Sequence, residues 1–200
     1  FYTYPIWVSV FGVATGLERF NLRVVAALVL GFAGVVLIFS FPESGLKGPL
    51  FAAGAALAVA VYILLAQVVS RGVEPVAAGS WTVAGAAFFL AVPGIGLGQN
   101  LPAAALPEAG ALGVATTLAF VGFYAALGRI GAARASVAMM VEPVTTVLLA
   151  ALLLDEDLSI RVGIATALIV AALPVLASSS KRPSIRLRPD AQHGGGMHDS

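Results

Sequence analysis

The sequence contains no cysteine and little charge, and both shortages restrict what the chain can be. Without cysteine, its 200 residues form no disulfide and no thiolate metal site. Only 10% of the residues are charged, against about a quarter in soluble globular domains. The formal net charge of +1 gives no support for nucleic-acid binding. With 60% hydrophobic residues and a mean hydropathy of +0.99, the composition is that of a membrane protein.

Apolar runs cover most of the chain. There are seven, at residues 1–17, 24–41, 49–70, 76–98, 109–128, 132–154 and 160–178. Most reach the ~17–25 residues that a membrane-spanning helix needs. Because backbone groups in lipid must be paired within their own segment, we expect each run to be an α-helix. The sequence therefore predicts an all-α integral membrane fold with seven transmembrane helices.

The same rare residues recur in the same order 138 residues apart. Four residues of the first copy match four of the second at identical spacing: Pro5, Glu18, Arg23 and Val24 match Pro143, Glu156, Arg161 and Val162. Eight of 36 aligned positions agree between 5–40 and 143–178, including Ser40 with Ser178. A matched proline, glutamate and arginine in such apolar sequence is hard to attribute to chance. Repeated membrane units are the usual plan of secondary transporters, so the repeat points toward transport.

The basic residues predict an orientation in the membrane. If the C-terminal end is cytoplasmic and the connectors alternate, nine cations fall on the cytoplasmic side: Arg19, Arg23, Arg71, Arg129, Arg134, Lys181, Arg182, Arg186 and Arg188. Only Lys47 and Arg161 fall outside, as expected when flanking Lys and Arg set the topology. Glu18 then lies on the inner side and Glu156 on the outer side, so the two repeats are inverted relative to each other. The polar sequence after Ser178 is predicted to be a disordered tail.

Four stretches of the sequence form a recognisable set of motifs: Val-Glu-Pro at 141–143, Leu-Leu-Asp-Glu-Asp-Leu at 153–158, the stretch 123–136 ahead of them, and the matching first-repeat element at 16–23. Together they resemble the EamA family of the drug/metabolite transporter superfamily. The resemblance implies ten helices in two inverted five-helix repeats, with both termini in the cytoplasm. The chain would then lack about the first three helices, and we expect this piece alone not to transport.

The predicted organisation has three parts. Residues 1–41 are the last two helices of the first repeat, and residues 48–178 are the complete second repeat of five helices. Residues 179–200 are the cytoplasmic tail.

Glu142 is the only acidic residue deep within an apolar run. A carboxylate at the bilayer centre costs roughly 2.5–3.5 kcal/mol on insertion scales, so something should compensate for it. At helical spacing, Ala135, Met139, Glu142 and Thr146 form one stripe that we expect to face a central cavity. Glu142 is thus a candidate proton carrier or partner for a substrate amine, and the alternative is a protonated carboxyl that joins two helices. Tyr4 occupies the matching place in the first repeat.

Two prolines and a set of polar or aromatic residues are further candidates. Pro5 and Pro143 each free a carbonyl one turn earlier, which predicts either a hinge or a packing kink. Thr117, Phe120 and Tyr124 share a helical face that would suit a solute cavity, with ordinary helix packing as the alternative. The same two readings apply to other polar or aromatic residues within the runs: Tyr62, Gln67, Trp81 and Thr82. Glu18 with Arg23, and Glu156 with Arg161, are expected to be boundary and capping residues.

Secondary active transport is the function that these features favour. The apolar runs contain no His, no Asp and one Glu, so an enzyme would lack its catalytic groups. No phosphate-binding loop is present, no cofactor is expected, and His193 and His198 in the tail are not expected to bind a metal. No Lys or Arg lies in the middle of a run, which disfavours phosphate esters. Small neutral, zwitterionic or cationic metabolites, such as amino acids or related compounds, fit better.

The resemblance adds export across the cell membrane as the expected direction, by alternating access, with proton exchange as a hypothesis based on Glu142. The expected partners are a small-molecule solute and the lipid bilayer, with no nucleic acid, and a homodimer is left open. The alternative is a structural or lipid-handling integral membrane protein that transports nothing.

Overall fold

The structure, a computed structural model, describes residues 1–38, 47–98, 102–154 and 159–178. Every regular element within these ranges is a helix, which confirms the predicted all-α class. Several residues discussed above lie outside the described ranges: Ser40, Asp155, Glu156, Asp157, and the predicted tail at 179–200 with His193 and His198.

The bounds of the helices follow the predicted apolar runs closely. The helices are α1 (Tyr4–Ala14), α2 (Leu22–Ile38), α3 (Lys47–Val69), α4 (Pro75–Gly96), α5 (Leu106–Ile130), α6 (Ala132–Ala138), α7 (Glu142–Leu154) and α8 (Ile160–Ala177). Single 3₁₀ turns at Ala103–Ala105 and Met139–Val141 precede α5 and α7. The sixth predicted run therefore contains both α6 and α7.

Five stretches in the described ranges are long and apolar enough to cross a membrane. They are Lys47–Val69, Pro75–Gly94, Ala103–Ile130, Ala132–Leu153 and Ile160–Ala177. The helices of the first two runs, α1 and α2, are also apolar but have only 11 and 17 residues. α1 is followed by a turn at Gly16, whose φ of 72° favours glycine. Five of the seven predicted spans are thus confirmed as long enough, and the 17 described residues of α2 stand at the lower limit of ~17–25 residues.

Pro143 breaks the sixth apolar run into two helices. Because proline has no N–H, the carbonyl of Met139 cannot receive the bond that a continuous helix would make with residue 143. This carbonyl accepts instead from the N–H of Glu142, which closes the 3₁₀ turn at Met139–Val141. The span Ala132–Leu153 is therefore discontinuous near its middle. Such backbone is tolerated at membrane depth where it is buried in protein or lines a cavity.

The start of α6 is held by two side chains from distant parts of the chain. Glu18, in the connector between α1 and α2, accepts a hydrogen bond through Oε1 from the N–H of Ala133 at 3.3 Å. Gln67, near the end of α3, accepts one through Oε1 from the N–H of Ala132 at 3.0 Å. These bonds satisfy N–H groups at the helix start that would otherwise have no partner. They also place the α1–α2 connector, the end of α3 and the α5–α6 turn at one end of the bundle.

α2 and α8 pack against each other as an antiparallel pair. The guanidinium of Arg23, at the start of α2, donates to the carbonyl of Ser178, just after α8. Toward the other end, a Cβ placed on Gly34 would lie 2.7 Å from the carbonyl oxygen of Ala165 and 2.5 Å from Cγ1 of Ile169. Since the start of one helix meets the end of the other, the two run in opposite directions. Gly34 lets their backbones approach closely, as small residues commonly do in membranes.

The described helices keep the register of the sequence repeat. Helices begin at positions 138 residues apart in both copies: α1 at Tyr4 and α7 at Glu142, α2 at Leu22 and α8 at Ile160. The residue before each second helix caps it. Oδ1 of Asn21 accepts from the N–H of Arg23 at 2.9 Å, and Oγ of Ser159 accepts from the N–H of Val162 at 3.3 Å. Asn21 and Ser159 are not identical, so a count of identities misses this correspondence.

Candidate functional site

A cavity of about 330 Å³ lies between α1, α3, α5 and the discontinuous span. We call it the central cavity, and its lining residues are mostly aromatic or aliphatic: Phe1, Tyr4, Val59, Tyr62, Ile63, Ala119, Phe120, Phe123, Met139 and Glu142. Glu142 is the one charged residue of this lining, and no lining residue is basic. The volume falls within the range of about 300–1,000 Å³ typical of small-molecule sites.

The 3₁₀ turn presents two side chains to the central cavity. Met139 and Glu142 are three residues apart, and side chains at this spacing eclipse in a 3₁₀ turn. Both are exposed and line the cavity. The other two members of the predicted stripe do not line it. Ala135 is buried in the core, and Thr146 donates through Oγ1 to the carbonyl of Glu142 at 3.1 Å.

Tyr4 faces the same cavity as Glu142, its counterpart in the repeat. The Tyr4 side chain is only 2% exposed, and its hydroxyl has no hydrogen-bond partner among the described residues. Buried hydroxyls are nearly always paired, so this unpaired one is unusual. A second pair of equivalent positions, Phe1 and Met139, also lines the cavity. The carbonyl of Phe1 accepts from the N–H of Tyr4 at 3.2 Å, the same i to i−3 bond that Met139 forms with Glu142.

Aromatic rings form most of the remaining wall. Phe120 and Phe123 meet edge to face, with ring centroids 6.5 Å apart and planes at 81°. Phe123 also meets Tyr124 edge to face at 5.6 Å and 69°. Such rings offer an apolar surface, and their faces attract cations. The lining can therefore hold an apolar body and a positively charged group together.

Three hydroxyls from three helices form a hydrogen-bonded chain beside the cavity. The hydroxyl of Tyr62 on α3 lies 3.0 Å from that of Tyr124 on α5. The Tyr124 hydroxyl also lies 2.9 Å from Oγ1 of Thr82 on α4. Oγ1 of Thr82 in addition donates to the carbonyl of Ala78 at 2.8 Å, so its own proton is used there. Tyr124 is thus the central member of the chain.

The predicted candidates separate into groups in the structure. Thr117 lies away from the central cavity, in a crevice between α4 and α5, where Oγ1 donates to the carbonyl of Gly113 at 2.8 Å. Tyr124 is 8% exposed and reaches the cavity only through its bond to Tyr62. Trp81 is 79% exposed on the outside of α4. Sequence periodicity put Thr117 and Tyr124 on the same face of α5, because they lie two helical turns apart. That face packs against different helices near Thr117 and near Tyr124, so the two side chains do not line the same cavity.

Both proposed hinge prolines lie in the first turn of a helix. Pro5 is in the first turn of α1 and Pro143 in the first turn of α7, and Pro5 is buried. At these positions a proline costs no helical hydrogen bond within its own helix. Each proline therefore fixes where its helix begins, and so where Tyr4 and Glu142 stand.

Sequence reasoning did not select some of the lining residues. Phe1, Val59, Ile63, Ala119 and Phe123 line the cavity and carry no polar group that would have marked them. The periodicity of α5 offered a signal, since Phe120 and Phe123 are three residues apart on one face. In the described ranges, no group of three or more His, Cys, Asp or Glu side chains is placed to bind a metal.

Comparison with known proteins gives one match. A family model described as the EamA-like transporter family matches residues 46–178. No curated protein and no solved structure matches the chain. The matched residues include α3 to α8, and so most of the lining of the central cavity.

Proposed function

Because the chain belongs to the EamA-like transporter family, we propose that it is part of a secondary active transporter that moves small metabolites by alternating access. Members of this family are multi-pass membrane transporters, and the long apolar helices of this chain agree with that. The observation that carries the proposal is the central cavity, which meets a discontinuous span at Glu142. In secondary transporters, solute sites commonly form beside such helix breaks near the middle of the membrane.

The lining of the central cavity favours a solute with an amino group and an apolar body. Glu142 provides the one charge, and it is negative, so an ammonium group gains attraction there. The faces of Phe120, Phe123 and Tyr62 add cation–π attraction and apolar contact. Zwitterionic and cationic metabolites, amino acids and related compounds among them, therefore fit this cavity better than anions.

The inverted repeat is part of the proposal, and several observations support it. Helix starts recur at the same offset, and α2 and α8, which are equivalent in the repeat, pack as an antiparallel pair. Two pairs of equivalent positions, Phe1 with Met139 and Tyr4 with Glu142, line one cavity. A cavity that receives equivalent residues from both copies is expected where a pseudo-two-fold axis passes. Alternating access then consists of one repeat moving against the other around this cavity.

We further propose that the basic end of the bundle faces the cytoplasm and that transport exchanges solute for protons. Arg19 and Arg71 lie in connectors and Arg129 lies in the last turn of α5, at the end of the bundle where Glu18 and Gln67 form their hydrogen bonds. Flanking cations favour the cytoplasmic side. Glu142 can bind either a proton or an ammonium group, and competition between these two couples their movements. Export is proposed as the direction on the family resemblance alone.

The decisive experiment measures solute transport against pH in the complete protein carrying Glu142→Gln. Glutamine keeps the size and polarity of the side chain but cannot exchange a proton. We expect the variant to lose most transport of an amine-bearing solute and to lose the dependence of the residual rate on pH. Glu108→Gln is the matched control, because Glu108 is exposed in the first turn of α5 and does not line the cavity.

An unchanged rate and pH profile in Glu142→Gln would remove Glu142 from the mechanism. A complete protein that moves no solute in a screen of amino-acid analogues would instead favour the structural or lipid-handling alternative. These two outcomes can be told apart. The first requires that the protein without the substitution transports solute, whereas the second is observed only if it does not.

A further inference from the structure

A second cavity lies next to the central cavity, at the basic end of the bundle. We call it the basic vestibule, and its volume is also about 330 Å³. It is lined by the end of α3, the α3–α4 connector and the end of α5, including Gln67, Arg71, Tyr124, Ala125, Gly128 and Arg129. No described residue lines both cavities. The wall between them includes α5, where the adjacent residues Phe123 and Tyr124 line one space each.

A pair of hydrogen-bonded tyrosines forms part of that wall. Tyr62 lines the central cavity and Tyr124 lines the basic vestibule. Their hydroxyls, 3.0 Å apart, join α3 to α5. Thr82 adds the third helix, α4, through its 2.9 Å contact with Tyr124. Side-chain hydroxyls from three helices therefore lie between the two spaces, beside the backbone of α5.

We propose that the Tyr62–Tyr124 hydrogen bond is the gate between the central cavity and the basic vestibule. This inference rests on the proposed function, since it assigns the pair a step in the same transport cycle. The bond joins side chains on different helices, so it can break by rotation of the side chains or by a small separation of α3 from α5. A single neutral hydrogen bond of this kind is weak enough to open and re-form during each cycle. In the described conformation the gate is closed.

The gate also selects what passes. Solute entering from the vestibule has to displace the Tyr62–Tyr124 bond and can replace it with bonds of its own. A polar group on the solute therefore lowers the barrier, whereas an apolar solute without such a group leaves both hydroxyls unpaired.

Cysteine labelling tests the gate without any transport assay. The 200-residue sequence contains no cysteine, so a cysteine introduced into it is the one thiol of this sequence that can react. Val59→Cys reports on the central cavity and Ala125→Cys on the basic vestibule. Each is placed in the complete protein and treated in sealed membrane vesicles with a membrane-impermeant thiol reagent. The vesicle orientation used is the one in which Ala125→Cys is labelled.

Tyr124→Phe removes both hydrogen bonds and keeps the ring. We expect it to raise the labelling rate of Val59→Cys about fivefold, the factor that corresponds to a hydrogen bond of ~1 kcal/mol. Thr82→Val is the matched control, because it removes one bond of Tyr124 and leaves the Tyr62–Tyr124 bond in place. With this control, the labelling of Val59→Cys should stay near the parent rate.

Equal labelling of Val59→Cys in the parent and in Tyr124→Phe would overturn the proposal. A rise in Ala125→Cys labelling by the same factor would also overturn it, since that indicates general loosening. Tyr62→Phe provides a second variant, should Tyr124→Phe fail to fold, and the same fivefold rise is expected. A protein that labels as expected yet moves no solute would retain the gate and refute only the transport function.

Discussion

Replacing Gly34 with alanine tests how closely α2 and α8 pack. The added Cβ would stand 2.7 Å from the carbonyl oxygen of Ala165 and 2.5 Å from Cγ1 of Ile169. Because the Ala165 oxygen belongs to the backbone and cannot rotate away, α2 and α8 have to separate. Overpacking costs typically ~1–3 kcal/mol. The better helix propensity of alanine offsets only about 0.5–1 kcal/mol of this. We therefore expect a net loss of about 1–2 kcal/mol in the free energy of unfolding.

The measurement is thermal unfolding of the complete protein in detergent, with Gly163→Ala as the matched control. Gly163 is on α8 as well, but it is exposed, and a Cβ there would meet nothing within 4 Å. The control should leave the midpoint unchanged or raise it slightly, whereas Gly34→Ala should lower it by about 2–8 °C on the scale of a domain of similar size. Equal midpoints for the two variants would refute the close antiparallel crossing.

Three further outcomes follow from the described contacts. Glu18→Ala removes the acceptor of the Ala133 N–H and should cost about 1 kcal/mol of stability, whereas Glu18→Gln keeps an oxygen there and should cost less; equal losses would contradict the capping role. Tyr4→Phe removes a buried unpaired hydroxyl, so thermal stability should rise or stay the same, and a lower midpoint would show that the hydroxyl is paired. Arg19→Cys and Lys47→Cys should react with impermeant reagents from opposite sides of the membrane, and labelling from one side would refute the inverted topology.

The helices could be predicted from the sequence because lipid offers no hydrogen-bond partners to the backbone. An apolar run of sufficient length must satisfy its own N–H and C=O groups, so its bounds nearly determine those of the helix. The break before Pro143 was also predictable, since the missing N–H of proline is a local property. The positions of Tyr4 and Glu142 follow from the same local rule.

The packing could not be predicted in the same way. Glu18 was expected to be a capping residue, but the helix it caps begins 114 residues later in the chain, at Ala132, where Gln67 is the second acceptor. Periodicity shows which residues share a face of one helix and contains no information on which helix that face meets. The Tyr62–Tyr124 bond and the exclusion of Thr117 from the central cavity both depend on such contacts between distant segments.

The antiparallel crossing of α2 and α8 also limits how the halves of the protein can move. At Gly34 one helix presents bare backbone, and Ile169 of the other helix fills the space. A rotation of α8 against α2 about this point leaves the Gly34–Ile169 contact nearly unchanged. A shift of α8 along the axis of α2 would instead press Ile169 against the next turn of α2. If the protein opens to alternate sides of the bilayer as proposed, we expect the crossing to serve as a pivot and the motion to be rocking rather than sliding.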